Sequence, residues 1–159
     1  MVTKSAAAAA TLRPSAALLG AQIAIAAAIE RCAVAATGHD PTTLDLLLRI
    51  GLSPQRRTRA VDVGRQLQLS AGYVSKRLTR AEAAGLIRRE PDDDDGRAQW
   101  ITLTSAGQRT VEDYLPRLTT VVDTVFHRSL TADEIETLVE LLHRVEGASL
   151  KLLEGEARP

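Results

Sequence analysis

A chain of 159 residues with 45% apolar content is sized for one domain, or one domain with helical extensions, around a single core. Its zero formal net charge excludes a uniformly basic coat for polyanions, and its single cysteine, Cys32, excludes an intramolecular disulfide framework, so a reducing cytoplasm fits. With only Tyr73, Trp100, Tyr114 and Phe126 aromatic, and much of the apolar count alanine, the core is expected to rest on close helix packing.

Residues 1–14 are low in complexity and are expected to be disordered. The opening resembles a signal peptide, but Arg13 and Pro14 interrupt the first apolar run. The second, Ala16 to Ile29, is short for a bilayer, and Arg31 before Cys32 spoils a lipoprotein cleavage site. A cytoplasmic protein without a membrane partner is therefore expected.

An Ala-rich helix runs from Ser15 to Thr37, with Leu19, Ile23 and Ile29 on it and Gly38 closing it. Asp40 and Pro41 supply an N-cap and a first-turn proline for a helix through Leu44, Leu47 and Leu48 to Gly51. Ser53 to Thr58 reads as a loop, and Arg59 to Leu67 as a short helix with Val63 and Leu67 inward. Ser70 then caps a helix from Ala71 to Ala84 that Gly85 ends. The runs LIRRE (86–90) and WITLT (100–104) flank a turn rich in Pro, Asp and Gly, which predicts a β-hairpin. Thr104 opens a long helix through Val111, Leu115 and Leu118 towards Phe126, with a kink expected at Pro116. A capping box, Thr131 and Glu134, opens the last helix, which carries Ile135, Leu138, Leu141, Leu142 and Val145 on one side.

Two short helices, a capped third and a hairpin make a mainly α fold with a small β-hairpin, a winged helix-turn-helix over residues 40–104. The apolar content of the flanking helices exceeds what a small winged domain covers. Residues 15–39 and 105–159 are therefore expected to be dimerisation helices of a homodimer.

Charge is segregated along the chain. Residues 56–89 carry nine basic side chains against two acidic, and residues 101–159 carry ten acidic against six basic. A basic middle of this kind suits double-stranded DNA. In SAGYVSKRLTRAEAAG (70–85), Val74, Leu78 and Ala81 form the inward stripe. The opposite side offers Gly72, Lys76, Thr79 and Arg80, with Tyr73 and Ser75 at its margins and Ser70 at the cap, all candidate DNA contacts: small and polar residues at the N-terminal end, then two cations within reach of base edges or phosphates. A solvated basic face would look the same on this helix alone; the adjoining helix and hairpin tip the balance to DNA.

The run PDDDDG (91–96) does not fit a calcium loop. Setting Gly96 at the sixth position puts Pro91 at the first and Thr102 at the twelfth, and neither can serve as the ligand needed there. Asp92, Asp93 and Asp94 read as a solvated tip. His39, His127 and His143 have no metal-ligand spacing, and no nucleophile–base arrangement or phosphate loop stands out, so no metal, cofactor or enzymatic activity is expected. Trp100 reads as hairpin packing and Cys32, late in its helix with no tyrosine near it in sequence, as a structural cysteine.

Residues 63–107, VGRQLQLSAGYVSKRLTRAEAAGLIRREPDDDDGRAQWITLTSAG, resemble the winged core of the MarR (multiple antibiotic resistance regulator) family of bacterial transcription regulators. Gly85, Leu86, Ile87, Arg89, Asp95, Arg97, Leu103, Thr104 and Gly107 fall in the register of its G-L-[IV]-x-R, Asp-x-Arg and L-T-x-x-G pieces. The resemblance implies that Arg97 enters a minor groove with Asp95 as its orienting partner. It also implies a small, often aromatic or phenolic, effector in the crevice between winged domain and dimerisation helices. The extra aspartates, Gly96 in place of a second arginine, and the small Ala81 depart from the pattern. The expectation is a homodimeric DNA-binding repressor; the rival is a winged-helix interaction module that has lost DNA binding and docks through its acidic wing.

Overall fold

Six helices and three strands follow one another in the structure, a computed structural model that describes residues 2–92 and 99–156. The chain divides into two units, residues 1–118 and 119–159.

The first unit opens with α1 (Val2–Thr37), and the segment expected to be disordered is helical from Val2 on, with Pro14 inside the helix. The expectation of an apolar run too short for a bilayer is likewise corrected. Ala10–Thr37 is long and apolar enough, by length and composition, to cross a membrane, because the helix passes through the points where the sequence seemed to break it. Leu12, Leu18, Leu19, Ile23 and Val34 are exposed on α1, whereas near its end Ala33 is fully buried and Cys32 and Ala36 pack against the core.

Helix α2 (Pro41–Leu52) starts where the sequence places it. Asp40 has extended φ/ψ, and its carboxylate accepts from the Thr43 amide at 3.2 Å and the Thr43 hydroxyl at 2.7 Å. Leu44, Leu46, Leu47, Leu48 and Ile50 are all buried, so α2 is the central rod of the core rather than a one-sided helix.

A short 3-10 turn (Pro54–Arg56) leads into β1 (Arg57–Arg59), a strand where the sequence suggested loop. It pairs antiparallel with β3 (Gln99–Leu103), whose other edge pairs with β2 (Ile87–Pro91), giving a three-stranded sheet in the order β1-β3-β2. Register assigns the faces. Thr58, Ile101 and Ile87 are buried on the inner face, and Arg57, Arg59, Trp100, Thr102, Arg88 and Glu90 share the outer one.

Between β1 and β2 lie α3 (Ala60–Leu67) and α4 (Ala71–Ala83). Val63 is fully buried and Leu67 packs at the core's margin, while Val74, Leu78 and Ala81 form the buried stripe that their spacing predicts. Gly85, at φ +70°, reverses the chain after α4, with its amide on the Glu82 carbonyl and that of Leu86 on the Ala81 carbonyl.

Helix α5 (Ser105–Val122) begins at Thr104, whose hydroxyl donates to the Gly85 carbonyl at 2.6 Å and accepts from the Gly107 amide at 3.1 Å. One side chain thus fastens the end of the wing to its beginning. Pro116 sits inside α5 without ending it; the regular ladder gives way further on, in a π-helical turn at Asp123–His127. The second unit contains the end of α5, that turn and α6 (Ala132–Glu156). Its capping box is complete: the Thr131 amide donates to Glu134 at 2.8 Å and the Glu134 amide to the Thr131 hydroxyl at 3.3 Å. Val139, Leu141, Leu142, Val145, Leu150, Leu152 and Leu153 are exposed along α6.

Candidate nucleic-acid interface

Helix α4 presents the sequence-derived candidates outward. Ser70 caps it, accepting from the Tyr73 amide at 3.4 Å, and Gly72, Tyr73, Ser75, Lys76, Thr79 and Arg80 are all exposed. Lys76 and Arg80, one turn apart, make no side-chain hydrogen bond or ion pair among the described residues. Thr79 differs: its hydroxyl donates to the Ser75 carbonyl at 3.0 Å and accepts from Arg89 at 3.2 Å. Arg89 in turn meets Glu82 at 3.1 Å, so the arginine of the G-L-I-x-R piece ties β2 to α4.

Arg77 is absent from the sequence-derived set, yet it is the most engaged cation on this helix. Its Nε and Nη2 donate to the Tyr73 hydroxyl at 3.0 and 2.7 Å, and its Nη1 to both Asp40 oxygens at 2.9 and 3.0 Å. The Tyr73 contact was available from i,i+4 helix spacing; the Asp40 contact, 37 residues away in sequence, was not. Burial works against ionisation of Asp40, but the Thr43 hydrogen bonds and the Arg77 charge together outweigh it and hold the carboxyl below its ordinary range.

The acidic run does not behave as one solvated tip. Asp92 is 3% exposed and ion-pairs with Arg59, so reading it with Asp93 and Asp94 as free solvent-facing charge is corrected. Arg59 and Arg57 both lie over the Trp100 ring, 4.9 and 4.3 Å from its centroid. Trp100 stands opposite Arg59 in β1 and Glu90 in β2, and its hairpin-packing role takes the form of a guanidinium stack that fastens the wing's stem to β1. A strand of three residues, two of them arginine, carries no hydrophobic period, which is why the sequence hid this cluster. Asp95 and Arg97 lie outside the described residues, as do Asp93, Asp94 and Gly96.

Away from this surface, a crevice of about 440 Å³ opens between α1, α2, α3 and α5, with Ile29, Leu48, Leu67 and Leu118 as apolar walls and Asp45 and Tyr114 as polar groups. The Tyr114 phenol is pushed up chiefly by burial, then by the nearby Cys32 and Asp45. Cys32 and Tyr114 thus share one part of the core, a proximity that no sequence neighbour announces. Among the described residues no group of three His, Cys, Asp or Glu side chains could hold a metal ion.

Residues 37–98 match the family model described as MarR family. The chain is 29% identical over 84 residues to YwhA, an uncharacterised HTH-type transcriptional regulator of Bacillus subtilis, covering 53% of this chain and 60% of that protein's length. It is 27% identical over 108 residues to the HTH-type transcriptional regulator SarZ of Staphylococcus haemolyticus, covering 67% and 71% of the two chains. Sco3205 of Streptomyces coelicolor, a MarR family transcriptional regulator solved in complex with DNA, superposes with a TM-score of 0.78 at 23% identity, covering 83% of this chain and 86% of that one. At that identity the likeness is one of fold. The winged core of this chain is thus similar to the MarR family over residues 37–98, and its fold is that of the MarR family structures.

Proposed function

We propose that the chain is a sequence-specific DNA-binding transcriptional regulator that works in the cytoplasm and has no enzymatic activity. The observation that carries the reading is the exposed pair Lys76 and Arg80 on a capped helix whose first turn is small and polar, without an acidic partner among the described residues and backed by a buried stripe. A helix so built enters a major groove with its cations towards base edges. Sco3205 and the other DNA-bound relative structures are complexes with the same fold, which supports the same partner here. Titrating genomic fragments at several salt concentrations tests it: log K should fall with log salt at about −0.9 per phosphate neutralised. A flat response would sink the reading and leave the interaction module, which is already weaker because Asp92 is spent inside the wing.

The assembly proposed is a homodimer on a pseudo-palindromic operator. Five exposed large apolar side chains on α1 and seven on α6 are more than a monomer of this size leaves in water without reason. A membrane is the other way to cover α1. It would have to draw Cys32, Ala33 and Ala36 out of the winged core, so a second copy is preferred. Truncation after Ser129 should leave a monomer or an aggregate in sedimentation; a soluble, DNA-binding dimer from that chain would refute the arrangement.

The crevice beside Tyr114 fits an aromatic or phenolic effector of modest size, apolar on its faces and polar at one edge. Release from DNA by such a molecule, and hence repression, completes the proposal.

A further inference from the structure

The Tyr73 oxygen holds the least expected hydrogen-bond pattern on α4. A phenol has one proton to give and two lone pairs to share. Arg77 occupies its acceptor side with a forked pair, through Nε at 3.0 Å and Nη2 at 2.7 Å, and Asp40 holds the far side of the same guanidinium. The Tyr73 proton is left to donate, and among the described residues no acceptor faces it. The side chain is 40% exposed in the first turn of α4, between Gly72 and Ser75, where nothing bulky shields it.

We propose that Arg77 is a positioning residue that makes Tyr73 a dedicated hydrogen-bond donor to a DNA phosphate, with Asp40 fixing Arg77. This rests on the DNA-binding reading and deepens it. Arg77 itself is poorly placed for the phosphate. Its side chain is 20% exposed, its donors are directed at Tyr73 and Asp40, and its charge is already paired. Donation through a phenol polarised by a guanidinium is stronger than from an isolated hydroxyl. It is also neutral, so it adds affinity without displacing a counterion. The link has a second consequence. Asp40 is the N-cap of α2, and the next two residues, Pro41 and Thr42, line the crevice beside Tyr114. The set of the phosphate donor is thus attached to the rim of that crevice.

The test uses the full-length protein and a labelled mixed-sequence duplex long enough for two half-sites, followed by fluorescence anisotropy. Tyr73→Phe, which removes only an exposed hydroxyl, should weaken binding about tenfold, the worth of a hydrogen bond to a charged group, with the salt slope unchanged. Arg77→Lys keeps the charge but cannot fork onto the phenol while its far side holds Asp40. It should lose a similar factor alone and nothing further in the Tyr73→Phe background. Asp40→Ser keeps a cap for α2 while freeing Arg77, and should weaken binding in the same direction. Thermal melts of each variant separate loss of fold from loss of contact. Wild-type affinity for Tyr73→Phe, or a further loss from Arg77→Lys in that background, would overturn the proposal while leaving DNA binding intact. Failure of the wild-type protein to bind the duplex would overturn the DNA reading, and the proposal with it.

Discussion

Gly107→Ala should cost the winged core roughly 3 kcal/mol or more, at or above the upper end of overpacking. Gly107 is buried in the first turn of α5, and a Cβ there would stand 2.0 Å from the Leu86 carbonyl oxygen and 3.0 Å from its carbon. Both atoms are backbone, and they cannot swing aside. The Leu86 carbonyl also accepts the Thr104 amide at 3.0 Å, while the Leu86 amide is bound to Ala81 at the end of α4. Moving it would disturb the end of α4, the start of β2 and the entry to α5 together. Urea unfolding followed by far-UV circular dichroism measures the loss. Gly72→Ala is the control, since a Cβ at Gly72 meets nothing within 4 Å; it should leave stability unchanged or slightly raised. A midpoint for Gly107→Ala equal to that of the wild type would mean that α5 does not approach Leu86 so closely in solution.

Replacing Lys76 and Arg80 together by alanine should remove most of the sequence preference. Each base contact is worth roughly 1–3 kcal/mol, and the two side chains lie one turn apart, so their losses need not add. Neither residue is tied to another described side chain, so neither substitution should disturb folding, in contrast to Arg77 or Arg89. Competition between a selected site and scrambled DNA is the informative measurement. A loss confined to the selected site places these cations on bases. An equal loss on both sequences would make them phosphate contacts and would rotate α4 away from the orientation argued above.

These two predictions draw on different sources. The outward placement of Lys76 and Arg80 is legible in the sequence, because helical periodicity assigns a buried stripe to Val74, Leu78 and Ala81 and so leaves the cations outside. Gly107 is only half legible in the chain. The L-T-x-x-G piece marks the glycine through a resemblance, but the reason for it, a carbonyl twenty-one positions back in the chain, exists only once the wing closes on α5.

Local rules determined what local physics controls. Caps at Asp40, Ser70 and Thr131, turn reversal at Gly85 and the inward stripes of α3 and α4 all depend on atoms within about one helical turn, and all were read from the chain. The helical start at Val2 was misread for a local reason too: Pro14 and low complexity look like a break, yet one lost backbone hydrogen bond does not end a long Ala-rich helix. Tertiary structure alone decided the rest. The strand Arg57–Arg59 owes its existence to the free edge of β3, since three residues have no pattern of their own. That edge brings Arg59 to Asp92, taking one aspartate out of an apparently uniform acidic run. The fold brings Asp40, the cap of α2, to Arg77 on α4, and sets Tyr114 of α5 in the core against which Cys32 of α1 packs. In each case the partners lie tens of residues apart, where neither periodicity nor propensity carries information, and their meeting is fixed by which apolar faces the core buries.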